Sequence, residues 1–385
     1  MKIILFTSRS SYGTIGLYIK RLATALKAAG HTCLIVDLYD KTATANFPKI
    51  YRRFQPDLTI GINICYYFTD KLDFYDLTGT AHFCFLLDHP FYHLHHFINP
   101  RSANFYFSCP DRSHVNYIKD LYPEANVCFI PHGISSNELL TSSGSGDGVR
   151  SNRGVFFGSI ISADEAFKRL QKKFPPRKVK LAEKLVHHWL KYPLKPVHQV
   201  LKEYLERRSI LSDYYKPAFR KSILFIMEQY FRAKSRLRFF QQLTDLPVDI
   251  YGKIPDSLKP QKPTGKLRLF PPLSHNKMLQ KLSIYSWSLN ESCFFPDGSH
   301  KRIIDSLSQS VPIISTGSRY LSEKYNRNNI IFFDPFKENS VYKAVKKINQ
   351  DNGKPAREID YNGWLDKDDT WEEKAKKILS ITGFS

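Results

Sequence analysis

Two carboxylates, Asp297 and Asp305, bracket a run that contains His300, Lys301 and Arg302. The surrounding stretch, Asn290–Thr316, reads as a polar, aromatic-rich loop, a helix from about Ser299 to Ser308, and the apolar strand Val311–Ser315. A basic helix start facing a loop collects anions, because unpaired backbone N–H groups and the helix dipole both favour negative charge there. An acid one or two turns further along can accept hydrogen bonds from sugar hydroxyls. This is the chemistry of a nucleotide or nucleotide-sugar pocket, with Asn290 and Glu291 at the end of the preceding apolar stretch. The plainer reading makes Ile303, Ile304 and Leu307 the core face of an amphipathic helix and leaves its charges solvated.

A second set of candidates follows the apolar run Ala81–Leu87. Asp88 or His89 could take the proton from an attacking hydroxyl, or Asp88 could simply cap the next turn. His93, His95 and His96 follow, but their loose spacing does not match a metal-ligand pattern. Further candidates are turns at strand ends. Ser10, Gly13 and Gly16 lie in a loop between the strand Lys2–Thr7 and a helix running to Gly30, without the G-x-G-x-x-G spacing. Pro131-His132-Gly133 closes the strand Asn126–Ile130, while Gly158-Ser159 and Gly252-Lys253 end the strand patterns at Gly154 and Val248. Lys253 could reach a phosphate or be an ordinary surface lysine.

Short apolar runs alternating with helical patterns predict an α/β chain with parallel sheets, whose ligands bind at the carboxyl ends of the strands. A chain of 385 residues, 42% hydrophobic, is long enough for two such domains. The Gly- and Ser-rich stretch 141–152 reads as a linker between residues 1–140 and 153–370, with a final helix over 371–385. A basic helical insertion is expected at about 164–245. Lys168–Arg238 alone hold 20 Lys and Arg against 5 Asp and Glu, most of the net charge of +21. That surplus points to an anionic membrane surface or an anionic acceptor, and no RNA- or DNA-binding signature accompanies it. The cysteines, Cys33, Cys65, Cys84, Cys109, Cys128 and Cys293, form no C-x-x-C pair and read as free thiols in a reducing compartment. The apolar run Ile3–Phe6 is too short for a signal peptide, so the expected location is the cytoplasm, with peripheral contact at the inner face of the membrane.

The order acid, seven residues, acid, then Ser310-Val311-Pro312 and two apolar residues resembles the donor-binding signature of GT-B glycosyltransferases. The core Pro296-Asp297-Gly298-x-His300-x-Arg302-x-x-Asp305 is most similar to the CgeB-like branch, although Asp stands at both acidic positions and Ser310 where Gly is usual. The resemblance implies two Rossmann-like domains facing a cleft, with the donor held mainly by the second. Asp305 would hold the ribose, Lys301, Arg302 or Gly158-Ser159 the diphosphate, and Asp297 or His300 the sugar. Gly252 and Lys253 would lie beside the nucleotide, and His132 at the cleft. The acceptor, a glycan, lipid-linked or protein hydroxyl in cell-surface glycan synthesis, would enter over Ser10–Gly16 and Asp88-His89. The resemblance implies neither a metal nor a cofactor, only a nucleotide sugar, a UDP-sugar in the first instance, as co-substrate. The contrasting reading is a basic protein that binds nucleic acid or membrane without turnover.

Overall fold

Short apolar runs bounded by polar turns become strands with both faces covered, and each sheet is wholly parallel. The computed structural model describes residues 1–7, 13–63, 78–94, 102–136, 150–259, 265–325, 330–351 and 365–384. Ser10, Cys65, His95, His96 and residues 141–149 of the expected linker lie outside the described residues. Two compact units are present: Met1–Leu139 with Asp366–Ser385, and Leu140–Leu365.

The first unit is built from β1 (Lys2–Thr7), α1 (Thr14–Ala28), β2 (Thr32–Asp37), α2 (Lys41–Phe54), β3 (Leu58–Ile62), β4 (Ala81–Phe85), β5 (Phe105–Cys109), α3 (Arg112–Leu121) and β6 (Asn126–Phe129). The sheet order is β2-β1-β3-β4-β5-β6, so the chain reverses direction across the sheet between β1 and β3. One face packs on α1 through Tyr18, Ile19 and Leu22, the other on α2 through Phe47. The C-terminal helix, Trp371–Ile381, belongs to this unit. Ile134 and the backbone before that helix exchange hydrogen bonds, Ile134 N–H to Asp369 O at 2.9 Å and Trp371 N–H to Ile134 O at 2.7 Å. Trp371 is buried beside Tyr18 and Phe85.

The second unit opens on β7 (Ser151–Phe157), so residues 151 and 152 of the expected linker are strand. Four helices follow, α4 (Ala163–Lys173), α5 (Pro176–Trp189), α6 (Val197–Glu206) and α7 (Pro217–Gln241). They lead to β8 (Val248–Tyr251), β9 (Leu267–Phe270), α8 (His275–Leu282), β10 (Tyr285–Asn290), α9 (Lys301–Ser308), β11 (Ile313–Thr316), α10 (Arg319–Lys324), β12 (Ile330–Phe333) and α11 (Ser340–Asp351). The order β12-β11-β10-β7-β8-β9 is a doubly wound sheet with its switch point between β7 and β10. The basic segment is thus the whole crossover from β7 to β8, and α7 is bound to the sheet core through Phe239 and Phe240. Several of its aromatic residues are interior: Trp189 stacks on Phe231 with ring centroids 3.8 Å apart, and Tyr214 is fully buried.

The C-terminal helix is held in the core of the first unit by Trp371, its largest side chain, together with Ala375, Ile378 and Leu379. Trp371→Ala is therefore expected to cost about 3–5 kcal/mol. In urea titrations followed by probes in each unit, the transition of the first unit should move to lower denaturant while that of the second stays in place.

Candidate functional site

In the second unit, the polar candidates gather where β7, β8 and β10 end. Gly158 and Gly252 close β7 and β8 so tightly that a Cβ on Gly252 would lie 2.1 Å from Gly158 O, and one on Gly158 2.9 Å from Arg302 Nη1. Only glycine permits that approach. The two turns are stitched together by Lys253 N–H donating to Ser159 Oγ at 3.0 Å and Ile160 N–H donating to Lys253 O at 2.9 Å, while the Lys253 side chain is exposed.

The loop from Glu291 to His300 rises beside these turns. It is anchored by Ser292 N–H to Thr316 Oγ1 at 3.0 Å and by Ser318 Oγ to Gly298 O at 2.6 Å. Asp297 is half-buried within it. His300 caps α9: its Nδ1 accepts from Arg302 N–H at 3.2 Å and from Arg302 Nε at 3.3 Å. Arg302 also donates to Phe157 O and lies over the Phe156 ring.

Two further side chains that the sequence reading did not single out come from α7. Arg236 donates to Glu291 Oε2 at 3.1 Å and to Ser159 O at 3.0 Å, and Arg232 donates to Glu228 and covers Phe294. Glu291 is fully buried and also accepts from Ser235 Oγ at 2.6 Å. Burial, and next the positive charge of Arg236, push Arg302 down to about 9. It stays a cation at neutral pH, and burial is the largest part of the shift. Glu291 and Asp305 oppose the push, and Arg232 adds to it.

Asp305 is differently placed from the ribose-facing position expected of it. Its carboxylate is 1% exposed, with Oδ1 accepting from Lys301 Nζ and Oδ2 from His275 Nε2 at 3.1 Å. Both carboxylate oxygens are thus engaged by buried partners and turned away from solvent. Burial raises the Asp305 pKa, but the Lys301 charge and the His275 hydrogen bond outweigh it and bring the group down to about 2. Lys301 is buried with its partner and does not stand at the helix start as a solvent-facing phosphate ligand.

In the first unit, neighbouring candidates part company at the end of β4. Asp88 is exposed and accepts from Asn63 Nδ2 at 3.0 Å, with His93 Nε2 3.6 Å from the same oxygen. Asn63, in the left-handed region at φ 53°, also accepts from Leu87 N–H at 2.8 Å and so ties the ends of β3 and β4. His89 turns inward: its Nδ1 accepts from Phe91 N–H, and its ring packs on His114 and Tyr117. Gly13 caps α1 in the left-handed region, and Gly16 faces Thr7 at the end of β1. His132 is buried with its ring 6.0 Å from that of Tyr18.

No protein-family model matches the sequence, and comparison with curated proteins gives no match. Solved structures do match. An α-glucosyltransferase in complex with UDP and a 13-mer DNA containing a central A:G mismatch is 10% identical, with a TM-score of 0.55 and 100% of both chains covered. A second complex, with UDP and a 13-mer DNA containing an HMU base, gives 10% identity and a TM-score of 0.54 over 100% of this chain and 99% of that one. A glycosyltransferase from Rickettsia africae is 9% identical, with a TM-score of 0.50 over 99% and 97% of the two chains. The chain has the GT-B fold. At such identities the likeness is one of architecture, and the chemistry has to be argued from this chain's own residues.

The Asp305 pairing makes a stability prediction. Asp305→Asn leaves Lys301 buried without its counter-charge, at an expected cost of about 3–5 kcal/mol at neutral pH. Because the folded-state pKa lies below the ordinary value, the carboxylate's contribution is complete above about pH 4 and is lost as pH falls towards 2. Urea unfolding of the two proteins across that range should show the difference shrinking with acid.

Proposed function

We propose that this protein is a glycosyltransferase that moves a sugar from a nucleotide-activated donor to an acceptor hydroxyl. The observation that carries the reading is the convergence of Arg232, Arg236 and Arg302 beside the ends of β7 and β10. The switch point of a doubly wound sheet is where such folds bind ligands. A diphosphate placed there would meet these guanidinium groups. It would meet the same groups again as negative charge builds on the leaving diphosphate during transfer.

In this reading the Gly158-Ser159 and Gly252-Lys253 turns give the diphosphate close access to the backbone, and Arg302 and the α7 arginines supply its counter-charge. His300 and Asp297, on the loop before α9, face the sugar. Lys301 and Asp305 form a buried ion pair that fixes α9 beneath that loop. Asp88, exposed at the end of β4 and oriented by Asn63, is the general base for the acceptor hydroxyl, with His93 beside it. The assignment moves the proton-accepting role to Asp88 alone and makes His89 a packing residue. The donor base is proposed to be uridine, and the acceptor a hydroxyl in cell-surface glycan or glycoconjugate synthesis.

A thermal-shift panel of UDP-, GDP-, ADP-, TDP- and CMP-sugars tests the reading, with stabilisation by one base class expected. Arg232→Met and Arg302→Lys should each weaken that donor by about tenfold or more in calorimetry, the value of one charged hydrogen bond. A flat panel would sink the proposal.

The two residues at the end of β4 should separate in kinetics. Asp88→Asn is expected to lower kcat by roughly 100-fold or more with donor affinity unchanged. His89→Ala should instead lower thermal stability while the purified protein keeps most of its turnover. Full turnover in Asp88→Asn would place the base elsewhere.

A further inference from the structure

The corner between α5 and α6 carries two cavities of opposite character on either side of one rigid turn. Trp189 Nε1 donates to Lys195 O at 2.7 Å, Tyr192 N–H to Trp189 O at 2.8 Å and Lys195 N–H to Tyr192 O at 2.9 Å, so the turn is locked from within. It nevertheless presents large apolar side chains to solvent: Tyr192 is 55% exposed and Leu194 49%.

On one side lies a cavity of about 280 Å3 lined by Lys184, His188, Lys191, Tyr204 and Arg207. Its one carboxylate, Glu203, is engaged by Lys195 Nζ at 2.9 Å from each oxygen and more distantly by Arg207 Nη2 at 3.9 Å, so the cationic residues that line the cleft outnumber its one acid. On the other side lies a cavity of about 600 Å3 whose walls include Tyr192, Leu194, Phe332, Phe333 and Pro335, with Phe332 itself 37% exposed. A cationic cleft and an apolar slot sharing one turn match an amphiphile, with an anionic head on one side and hydrocarbon on the other.

We propose that this corner docks the protein on an anionic lipid surface. Lys184, Lys191 and Arg207 hold lipid phosphates, while Tyr192 and Leu194 enter the headgroup region. The surface lies outside the residues assigned to the donor and so goes beyond the proposed transfer reaction. Among the described residues no helix is long and apolar enough to cross a membrane, and the contact is interfacial. Nucleic acid fits the corner less well. Trp189, Tyr214 and Phe231 are buried, which leaves Tyr192 as the exposed ring of the turn, and an exposed leucine beside it has no role against a phosphate backbone.

Co-flotation of the full chain with phosphatidylcholine vesicles, with and without phosphatidylglycerol, tests the proposal. Binding is expected only to the anionic vesicles and should weaken as salt rises. Lys184→Glu combined with Lys191→Glu should lower it at least tenfold, since each basic group near an anionic surface contributes roughly a fivefold factor. Tyr192→Ser combined with Leu194→Ser should remove the part of the binding that survives high salt. Both double variants alter exposed positions and should keep the parent melting temperature. Equal binding to neutral vesicles, parental binding by the charge-reversed variant, or tighter retention of a single-stranded oligonucleotide than of anionic vesicles would each overturn it. Saturable binding of glycerol phosphate without any vesicle binding would do the same, by assigning the cleft to a soluble phosphate.

Discussion

A carboxylate with no solvent exposure costs several kcal/mol unless cations and donors surround it. Glu291 is in that position at the end of β10, and its partners decide how the second unit is put together. Ser235 and Arg236 both reach it from α7, and Arg236 extends to the carbonyl of Ser159 beyond β7. One acid thus links three elements, directly or through Arg236: the strand end that leads into the loop before α9, the long crossover helix, and the glycine turn beside it. Arg302 completes the ring from α9 by donating to the carbonyl of Phe157. Arg232 is paired with Glu228 and Arg236 with Glu291, so each guanidinium is fixed in place by groups from more than one element.

The two units solve the problem of a reactive strand end by different physics. In the second, positioning is electrostatic: charges are fixed by other charges and by carbonyls, and a ligand would meet them without much reorganisation. In the first, the end of β4 is held by Asn63, which spans two strand ends with its amide, and by packing of the imidazoles of His89 and His114 against Tyr117. Asp88 stands exposed beside that packed cluster. Such a group keeps access to solvent and to an entering hydroxyl, as a proton acceptor must.

What the sequence made legible was mostly local. Short apolar runs ending in glycine marked β7 and β8, and a basic start followed by Ile303, Ile304 and Leu307 marked α9, because those patterns depend on near neighbours. Side-chain direction was harder. Asp88 and His89 are adjacent and equally polar, and only the turn after β4 decides which faces water. In α9 the polar residues Lys301, Asp305, Ser306 and Ser308 are buried along with the apolar ones, which differs from an amphipathic helix with solvated charges. Arg232 and Arg236 could not be told from the other basic residues of Lys168–Arg238, since what distinguishes them is the distant acid Glu291. Helix α2 was hidden by Pro48 within it and by a single buried residue, Phe47; the Asp40 side chain, which accepts from Thr42 and Ala43 N–H groups, is its clearest signal.

The crossover that carries most of the charge also connects its outer corner to the site. Trp189 ends α5 and pins the corner turn through its indole N–H, while its ring stacks on Phe231 of α7 and meets Phe294 edge-on. Phe294 belongs to the loop that runs to His300, and Arg232 lies across its other contact, 4.8 Å from the ring centroid. Close-packed rings leave little slack, because a gap of even part of an ångström forfeits much of the dispersion energy. The loop before α9 therefore takes its position from the same aromatic stack that sets the angle of the corner. The segment whose charge looks like a solvated appendage in the sequence is, in the fold, the frame on which the arginine cluster is mounted.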